Sequence, residues 1–561
     1  MDELINRFAR FVLPLCCFLA AGGAAAQSAD LIISNATIYD LDEADSIVVD
    51  DGKIVFIGKG EAVRTYRSPD TVWLDVEQAF VMPGFIDNHN HVFEAASSAG
   101  GNCELSLDAG LMEQIPYLTY CRQQAQSDGW LMGYGFSLDA ILAAGQAHTP
   151  LEVIDSIFPK RPVVLMEQTS HSMWVNSSAL ALAGIDKQSP NPQGGVILKD
   201  EKTGELNGIL LDNAGDIVME LAWNQLEEKF EQSYLGLLAG LDAAAAHGIT
   251  TIGDGRLYWK RGWFEVWQQA EQNGDLTARV SLRPWIYPQE PMSAQLAFLK
   301  GIQSSDPQRL LWVDQVKMYS DGIIINGTAK MLAPYLNTYL SAYPNGLHYI
   351  PPQAMADWLG ALRQIGYGAH IHAIGDAAVH ASLNAIESVR RQGSRHPYTL
   401  THVELVDPSD LPRFSQLSVT ADFQVGSDYV AAHDHQWAEY FLGLKRAKAL
   451  MNVNALFKTG ANVTLSSDWN VHSINPLVGI ANSLIMDATG LPDIHAAIDA
   501  YTINAAKSLG LEALTGSIAV GKSADLVILS DDITLMPITQ VPETSVLMTL
   551  LQGEIVFDAT R

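Results

Sequence analysis

One stretch of the sequence decides the fold: Pro83-Gly84-Phe85-Ile86-Asp87-Asn88-His89-Asn90-His91. It predicts a short apolar strand that begins after a Pro-Gly turn and ends in two histidines. Side chains two residues apart on a strand lie on the same face, so His89 and His91 can bind one metal ion. A His-x-His pair at the carboxyl end of a parallel barrel strand is well placed for this role. The pair alone is a weak signal, and the metal prediction depends on residues further along the chain.

The middle of the chain alternates strands with helices, a pattern that predicts a parallel sheet or barrel. Helical spacing of apolar residues runs through residues 355–365 and 379–389. After the His-x-His strand, the pattern predicts seven further strands at residues 249–252, 279–282, 316–319, 370–372, 399–402, 419–423 and 463–465. Eight such strands fit the α/β class, with a (β/α)8 barrel of the TIM type.

Two parts of the chain fall outside this barrel. Residues 95–235 separate the first strand from the second and are too many for a simple crossover. We therefore predict an inserted lid or cap domain with its own strand at residues 163–165. The two chain ends contain short strands, too few at either end to bury a core alone, and we predict that they form one small β-sandwich. The predicted division is a composite sandwich of residues 27–80 and 515–561, a barrel of residues 81–94 and 236–514, and a cap of residues 95–235.

The composition is that of a globular protein of 561 residues, of which 48% are hydrophobic. The formal net charge is −29. This charge repels phosphates, which argues against nucleic acid and against anionic membrane surfaces as partners. The net charge does not identify a substrate, because a metal ion can dominate the electrostatic field of its own site.

The first 26 residues have the pattern of a secretory signal peptide. Arg7 and Arg10 form a modest basic flank, residues 11–20 are largely apolar, and residues 24–26 are three alanines that suit a cleavage site. The apolar stretch is too short to span a membrane comfortably. We therefore predict export to a secreted or periplasmic location, with no stable membrane anchor after cleavage.

Cleavage leaves two cysteines in the mature chain, Cys103 and Cys121. An even pair in an oxidising compartment permits one disulfide, and we predict that these two residues are linked. The alternative is two buried free thiols. Neither cysteine belongs to a Cys-x-x-Cys pattern, which argues against redox catalysis.

Residues that can bind metal recur at the carboxyl ends of the predicted barrel strands. They are His89 and His91 on the first strand, Lys317 on the fourth, His372 on the fifth, His402 on the sixth and Asp468 on the eighth. Active sites at this face of a barrel draw their side chains from separate strands. Several nitrogen ligands with one carboxylate suit zinc, and manganese, iron and nickel are alternatives.

The sequence motifs that contain these residues resemble those of the metal-dependent amidohydrolase superfamily. They are most similar to its long branch, amidohydrolase family 3, which includes N-substituted formamide deformylase. Residues 83–91 are similar to the first barrel strand of that superfamily. The other stretches similar to motifs of the branch are His171-Ser172-Met173-Trp174-Val175-Asn176-Ser177, Lys317-Met318-Tyr319-Ser320-Asp321-Gly322, His372-Ala373-Ile374-Gly375-Asp376 and Ser467-Asp468-Trp469. The resemblance covers nearly the entire chain after residue 30. It departs at Thr401, where the branch usually has Glu, and at Val425, where it usually has Pro.

The resemblance implies roles that spacing does not give. It implies that Lys317 reacts with carbon dioxide to form a carbamate that bridges two metal ions; the alternative is an ordinary lysine in a salt bridge. It favours His372 over His370 as the ligand on the fifth strand, which leaves His370 as a packed core residue. The motif residues expected to bind substrate are His171, Trp174 and Asp321. For His171, which lies in the inserted segment, the alternative is that its side chain only packs within the insert.

The ligands and the resemblance together predict an exported metal-dependent hydrolase that cleaves a non-peptide, amide-type C–N bond with a metal-activated water. Asp468 is the expected catalytic base, which takes a proton from water and returns it to the departing nitrogen; it can also bind metal in the resting state. The expected cofactors are one or two zinc ions and the Lys317 carbamate. The alternatives are a deaminase, an ester or lactone hydrolase or an isomerase on the same site, and a non-catalytic binding relative. A small molecule is the expected partner, and a homo-oligomer is left open.

Overall fold

The computed structural model describes residues 28–96, 101–124, 129–143, 145, 147–306, 309–427, 430 and 435–560. The predicted signal peptide, residues 1–26, lies outside these ranges. None of the helices within these ranges is long and apolar enough to cross a membrane.

The strands fall into three groups along the chain. The N-terminal group is β1 (Leu31–Ser34), β2 (Thr37–Ile38), β3 (Ser46–Asp50), β4 (Lys53–Gly58), β5 (Val72–Asp75) and β6 (Phe80–Pro83). The central group is β7 (Phe85–Asn90), β8 (Cys103–Glu104), β9 (Leu131–Phe136), β10 (Val163–Glu167), β11 (Ser172–Val175), β12 (Gly195–Lys199), β13 (Leu206–Asp212), β14 (Ile249–Asp254), β15 (Arg279–Ser281), β16 (Leu311–Trp312), β17 (Gln315–Tyr319), β18 (Gly368–Ala373), β19 (Tyr398–His402), β20 (Thr420–Gln424) and β21 (Val463–Ser466). The C-terminal group is β22 (Leu526–Leu529), β23 (Val546–Leu551) and β24 (Glu554–Asp558).

The longer helices alternate with the central strands, as the sequence pattern predicts. Helix Asp376–Arg391 buries Val379, Leu383 and Ile386 on one face, because apolar residues three and four apart share a side of a helix. The described α-helices are Gly60–Val63, Val92–Ala96, Ile115–Gln124, Leu138–Ile141, Pro150–Ile157, Ser177–Leu182, Asn213–Asn224, Lys229–Ala246, Trp263–Asn273, Met292–Ile302, Pro352–Gln364, Asp376–Arg391, Leu411–Leu417, Gln436–Leu442, Leu444–Ala447, Val453–Phe457, Pro476–Ile485, Ile494–Ala500 and Ile503–Leu509.

Two parallel sheets contain every predicted barrel strand. One has the order β16-β15-β14-β7 and the other β17-β18-β19-β20-β21. Backbone hydrogen bonds join them at two places. The Asp468 amide donates to His89 O at 2.8 Å, and the Lys317 amide donates to Pro284 O at 3.0 Å. The strands are buried on both faces, as expected when helices cover a parallel sheet. The α/β TIM-like class predicted from the sequence is therefore the class of this domain.

The segment between β7 and β14 has a sheet of its own. Its six strands have the order β12-β13-β11-β10-β9-β8, and the predicted strand at residues 163–165 is the start of β10. A separate apolar cluster, which includes Phe136, Leu165 and Trp174, packs there. The predicted disulfide is confirmed: Cys103 on β8 is bonded to Cys121 on helix Ile115–Gln124, with their Cα atoms 5.2 Å apart.

The two chain ends meet in one sheet. It has the order β2-β6-β22-β23-β24, and β6 pairs antiparallel with β22 so that Val81 lies opposite Ile528. A second sheet, β4-β3-β1-β5, comes entirely from the N-terminal group. The two sheets share one apolar cluster, in which Ile33 and Val49 accompany Val81 and Ile528. Strands from both ends of the chain thus bury a common core.

Candidate metal centre

The two histidines of the His-x-His strand converge on one carboxylate. His89 Nε2 lies 3.1 Å and His91 Nε2 3.0 Å from the same oxygen, Asp468 Oδ1. Asp468 follows β21 with φ of +51°, a conformation uncommon for a non-glycine residue and often found at functional sites. Asp87 holds Ser467, the residue before Asp468, in place. The Asp87 carboxylate accepts hydrogen bonds from the Ser467 amide at 2.9 Å and from the Ser467 hydroxyl at 2.5 Å.

The electrostatics of this cluster favour the neutral imidazole form of His89 and the ionised form of Asp468. Burial lowers the pKa of His89 well below its usual value, and the charge of Lys317 lowers it further. Burial alone would raise the pKa of Asp468, but the charges and hydrogen bonds of His89 and His91 outweigh burial and hold that pKa well below its usual range. Neutral imidazoles and an ionised carboxylate are the forms that bind a divalent metal ion.

Lys317 is the third group of the cluster. It lies on β17 with its side chain fully buried, and its Nζ is 3.4 Å from His89 Nδ1. Burial lowers its pKa well below the usual value for lysine, although the Asp468 carboxylate opposes this shift. Burial therefore favours the neutral, nucleophilic amine form of Lys317.

His372 and His402 bring two further imidazoles from β18 and β19. Their ring centroids are 4.4 Å apart, and the His402 ring is 5.2 Å from that of His89. His372 Nε2 donates to Gly322 O at 3.1 Å, while its buried Nδ1 has no hydrogen-bond partner in the described ranges. Burial lowers the pKa of both rings. These imidazoles are thus available to a metal ion in their neutral form.

Among the residues that the structure describes, two groups of side chains are compact enough to be compared with a metal site. In each group, the ligand atoms lie within 4.8 Å of one another. His89, His91 and Asp468 form the first group and have the nitrogen and oxygen donors that zinc prefers. His89, His370 and Asp422 form the second, but His370 Nε2 is already 2.8 Å from His89 Nδ1. The first group therefore fits a divalent metal ion.

Asp422, the carboxylate of the second group, is fully engaged in hydrogen bonds. The Thr464 hydroxyl donates to its Oδ1 at 2.7 Å, and Thr401 and Ser466 each donate to its Oδ2 at 2.9 Å. Gln424 Nε2 donates to the same Oδ2 at 2.9 Å. A carboxylate held by this many donors is part of a structural network, so the second group does not fit a metal ion.

A cavity of about 720 Å³ opens beside the first group. Of the predicted site residues, Asp468, His372, His402 and His171 line it. Most of its remaining wall is apolar, and the Phe93 and Trp263 rings stack there 4.6 Å apart. Other apolar wall residues are Met132, Met173, Met219 and Trp223.

His171 enters the cavity wall from the inserted segment. Its Nδ1 donates to Asp212 Oδ1 at 2.7 Å, and its carbonyl accepts the Asp212 amide at 2.8 Å. Asp212 has φ of +49°, and Ser170, the residue before His171, has φ of +64°, so the backbone is strained on both sides of this contact. The His171 ring lies 5.1 Å from the His372 ring. The insert thereby places an oriented imidazole next to His372, a predicted metal ligand.

The other two predicted substrate residues lie outside the lining of this cavity. Trp174 is completely buried within the insert, and its Nε1 donates to Pro150 O at 3.0 Å. Asp321 is also buried, and it accepts the amides of Ile374, Gly375 and Lys330 at 2.7–3.0 Å. The structure thus places Trp174 in a packing position and Asp321 where it holds the loop after β18.

Sequence reasoning missed two polar residues that line the cavity, Arg256 and Glu404, and Asp212, which contacts the cavity residue His171. Asp212 ends β13, Arg256 follows β14, and Glu404 comes two residues after His402. Arg256 Nη1 donates to Tyr319 Oη at 3.0 Å, and burial raises the pKa of Glu404 to about 7. The sequence signal for these three residues is a charged residue at or just after the end of a buried strand. The predicted metal ligands were found by the same kind of signal.

An α/β TIM-like domain whose strand ends present imidazoles, a lysine and a carboxylate beside one cavity defines a metal-dependent hydrolase. The sequence model of the amidohydrolase family matches residues 73–557. The chain belongs to the amidohydrolase family, as the sequence motifs predict, and is a hydrolase acting on carbon–nitrogen bonds.

Individual proteins are similar to the chain over most of its length. It is 28% identical over 536 residues to Protein LONG AFTER FAR-RED 3 of Arabidopsis thaliana, with 90% of this chain and 87% of that protein covered. It is 26% identical over 569 residues to N-substituted formamide deformylase of Arthrobacter pascens, with 95% and 99% covered. Its fold is similar to that of an uncharacterized metal-dependent hydrolase from Pyrococcus horikoshii OT3, with a TM-score of 0.69, 20% identity, and 91% of this chain and 99% of that chain covered.

Proposed function

We propose that this protein hydrolyses a non-peptide, amide-type C–N bond in a small molecule, with a metal-activated water as the nucleophile. The observation that carries the proposal is the convergence of His89 and His91 on Asp468 at the edge of the cavity. The name of the Arthrobacter pascens relative, N-substituted formamide deformylase, supports an amide-type substrate.

One or two divalent ions, most simply zinc, would be held by the ligand set predicted from the sequence: His89, His91, Lys317, His372, His402 and Asp468. Bound metal supplies Lewis acidity, which polarises a carbonyl and lowers the pKa of a water molecule. We also propose that Lys317 carries a carbamate. Its neutral Nζ attacks carbon dioxide, an N–C bond forms, and one proton leaves to solvent. The carbamate adds an anion to a set that otherwise has one carboxylate.

Asp468 is the proposed proton carrier. It accepts a proton from the attacking water and returns it to the nitrogen as the C–N bond breaks, which leaves the carboxyl product and a free amine. Its low pKa favours the ionised form that can accept a proton. His171, oriented by Asp212, is proposed to contact the substrate, because its ring lines the cavity next to His372.

We also propose how the sheets and segments of the chain are arranged into domains. We propose that the two parallel sheets close into one (β/α)8 barrel, since backbone hydrogen bonds join them at two places. The segment from residue 95 to 235 would be a cap over its carboxyl face, and the two terminal sheets a composite β-sandwich. Export after removal of residues 1–26 is likewise proposed from the sequence pattern.

The test combines metal analysis with a substrate panel. The mature protein is purified without chelators, its bound metal is measured, and it is assayed on N-formyl and N-acyl amines, esters, lactones and aminated rings. We expect one to two divalent ions per chain and hydrolysis of amide-type substrates that ends when metal is removed. Full activity in metal-free protein, or turnover confined to esters or aminated rings, would contradict the proposal.

A further inference from the structure

A third histidine contacts the metal-binding pair from within the sheet. His370 lies on β18, two residues before His372, and its side chain is fully buried. Its Nε2 lies 2.8 Å from His89 Nδ1. The two rings are nearly parallel, with centroids 4.9 Å apart and an angle of 23° between their planes. His370 thus contacts the nitrogen of His89 that does not face Asp468.

We propose that His370 is a positioning residue for the metal ligand His89, an inference that rests on the metal site of the proposed function. A histidine that binds metal through Nε2 carries its proton on Nδ1, and a hydrogen-bond acceptor at Nδ1 fixes the orientation of the ring. His89 Nε2 is the atom beside Asp468, at 3.1 Å. In the metal-loaded protein, His89 Nδ1 therefore donates to His370 Nε2.

The neighbours of His89 leave this role to His370. Within the described ranges, the side chains within hydrogen-bond distance of His89 Nδ1 are His370, whose Nε2 is 2.8 Å away, and Lys317, whose Nζ is 3.4 Å away. Once Lys317 carries a carbamate, its nitrogen lone pair is delocalised into the new carbonyl and no longer accepts a hydrogen bond. His370 Nε2 is then the acceptor that keeps the proton of His89 on Nδ1.

Packing alone does not account for a histidine at this position. In the described part of the chain, the buried His370 Nδ1 has no hydrogen-bond partner. The nearby carboxylate of Asp422 is engaged by Thr464 and Thr401. A buried polar atom without a partner is unfavourable, so an apolar side chain would fill this space at lower cost. The contact with His89 explains why a polar ring is placed here.

Two substitutions separate the hydrogen bond from the packing of the ring. His370→Phe keeps an aromatic ring against His89 but removes the acceptor nitrogen. His370→Gln loses the ring but offers an amide oxygen near the former Nε2. The measurement is the Kd for zinc of the metal-depleted full-length protein, titrated against a chromophoric chelator. We expect His370→Phe to weaken zinc binding by about 10- to 100-fold, and His370→Gln to retain most of the parent affinity.

Thr399→Val is the matched control. Thr399 lies opposite His370 in the β18–β19 register, and its buried hydroxyl has no partner in the described ranges. This substitution disturbs the same layer without touching His89, and it should leave the zinc Kd unchanged. If circular dichroism shows that the Phe variant does not fold, the smaller His370→Leu takes its place with the same expectation.

Three results would overturn the inference. A Phe or Leu variant that binds zinc with the parent Kd would show that the acceptor is dispensable. A Gln variant as weak as the Phe variant would show that ring packing, and not the hydrogen bond, carries the effect. A parent protein that binds no zinc would contradict the proposed function as well, and this outcome is distinct because the parent is measured first and without substrate.

Discussion

At the scale of single residues, Asp468 combines two demands on one carboxylate. It lies within hydrogen-bond distance of both strand histidines, and it is the proposed base. Asp468→Asn keeps the size of the side chain and one oxygen ligand but removes the proton acceptor. We expect turnover to fall by about 10²- to 10⁴-fold or more, while much of the metal is retained. Steady-state kinetics beside elemental analysis of the same samples measures both. Turnover near the parent rate at full metal content would place the base elsewhere in the cavity.

Substitution of Lys317 should impair activity in a different way, through loss of bound metal. Lys317→Ala removes the proposed carbamate and leaves the metal site short of one anion, so metal should be lost together with activity. A small carboxylic acid added to the medium should restore part of the rate by occupying the vacated space. The measurement is activity per bound metal ion, with and without acetate or propionate. Full metal content in the alanine variant would contradict a ligand role for this lysine.

Glu167 should make the free energy of unfolding depend on pH, and this effect does not involve the metal site. It is 1% exposed at the end of β10, where it accepts the Thr169 amide at 2.8 Å. Burial raises its pKa from 4.5 to about 7. Between pH 4.5 and 7 the unfolded chain releases this proton while the folded chain keeps it, so the free energy of unfolding falls as the pH rises, by at most about 3 kcal/mol.

Glu167→Gln removes this titration, because the amide oxygen can still accept from Thr169. We expect the variant to be more stable than the parent at pH 8, and the difference to shrink towards pH 4.5. Urea unfolding at both pH values measures this, with the exposed Glu543→Gln as the control. A difference between Glu167→Gln and the parent that is the same at both pH values would refute the assignment.

At the scale of single elements, the strands of the two parallel sheets could be predicted because their signal is local. A run of apolar residues followed by a histidine, lysine or aspartate marks both a buried strand and its carboxyl end. The proposed metal ligands His89, His372 and Asp468 follow from this pattern with the family motif. Their spatial meeting did not, because it depends on the register of strands that are distant along the chain.

The motif of the insert shows where prediction from the sequence fails. His171 and Trp174 are three residues apart at the start of β11, and side chains an odd number apart face opposite sides of a strand. His171 and Met173 therefore line the cavity, while Trp174 packs inside the insert. Asp212 could not be linked to His171 from the sequence, because the pairing of β11 with β13 is a tertiary contact.

The disulfide gives a prediction at this scale. It ties Cys103 on the edge strand β8 to Cys121 on helix Ile115–Gln124, and a bridge across a short loop restricts the unfolded chain. The double substitution of both cysteines by serine should lower the free energy of unfolding by about 2–4 kcal/mol. Urea unfolding measures the loss, and the parent in dithiothreitol should match the variant. Mass spectrometry of non-reduced peptides that found two alkylated thiols would contradict the linkage.

At the scale of the whole molecule, export is the expectation that the described residues do not address. We expect the protein from the periplasm or medium to begin near Gln27, because residues 24–26 supply a small-residue cleavage site. Sequencing the amino terminus of that material decides the point, and protein from a leaderless gene that starts at residue 27 provides the size standard. An intact Met1 in active exported protein would refute removal of this segment.

The pairing of β6 with β22 also has a consequence for how the molecule is made. Ribosomes add about 5–20 residues per second. Val81 therefore emerges roughly 20 to 90 s before Ile528, the residue that lies opposite it in the finished sheet. During that interval the edge of β6 is bare, and an unpaired apolar edge invites wrong partners. The newborn chain is therefore exposed to wrong association until its last strands are synthesised.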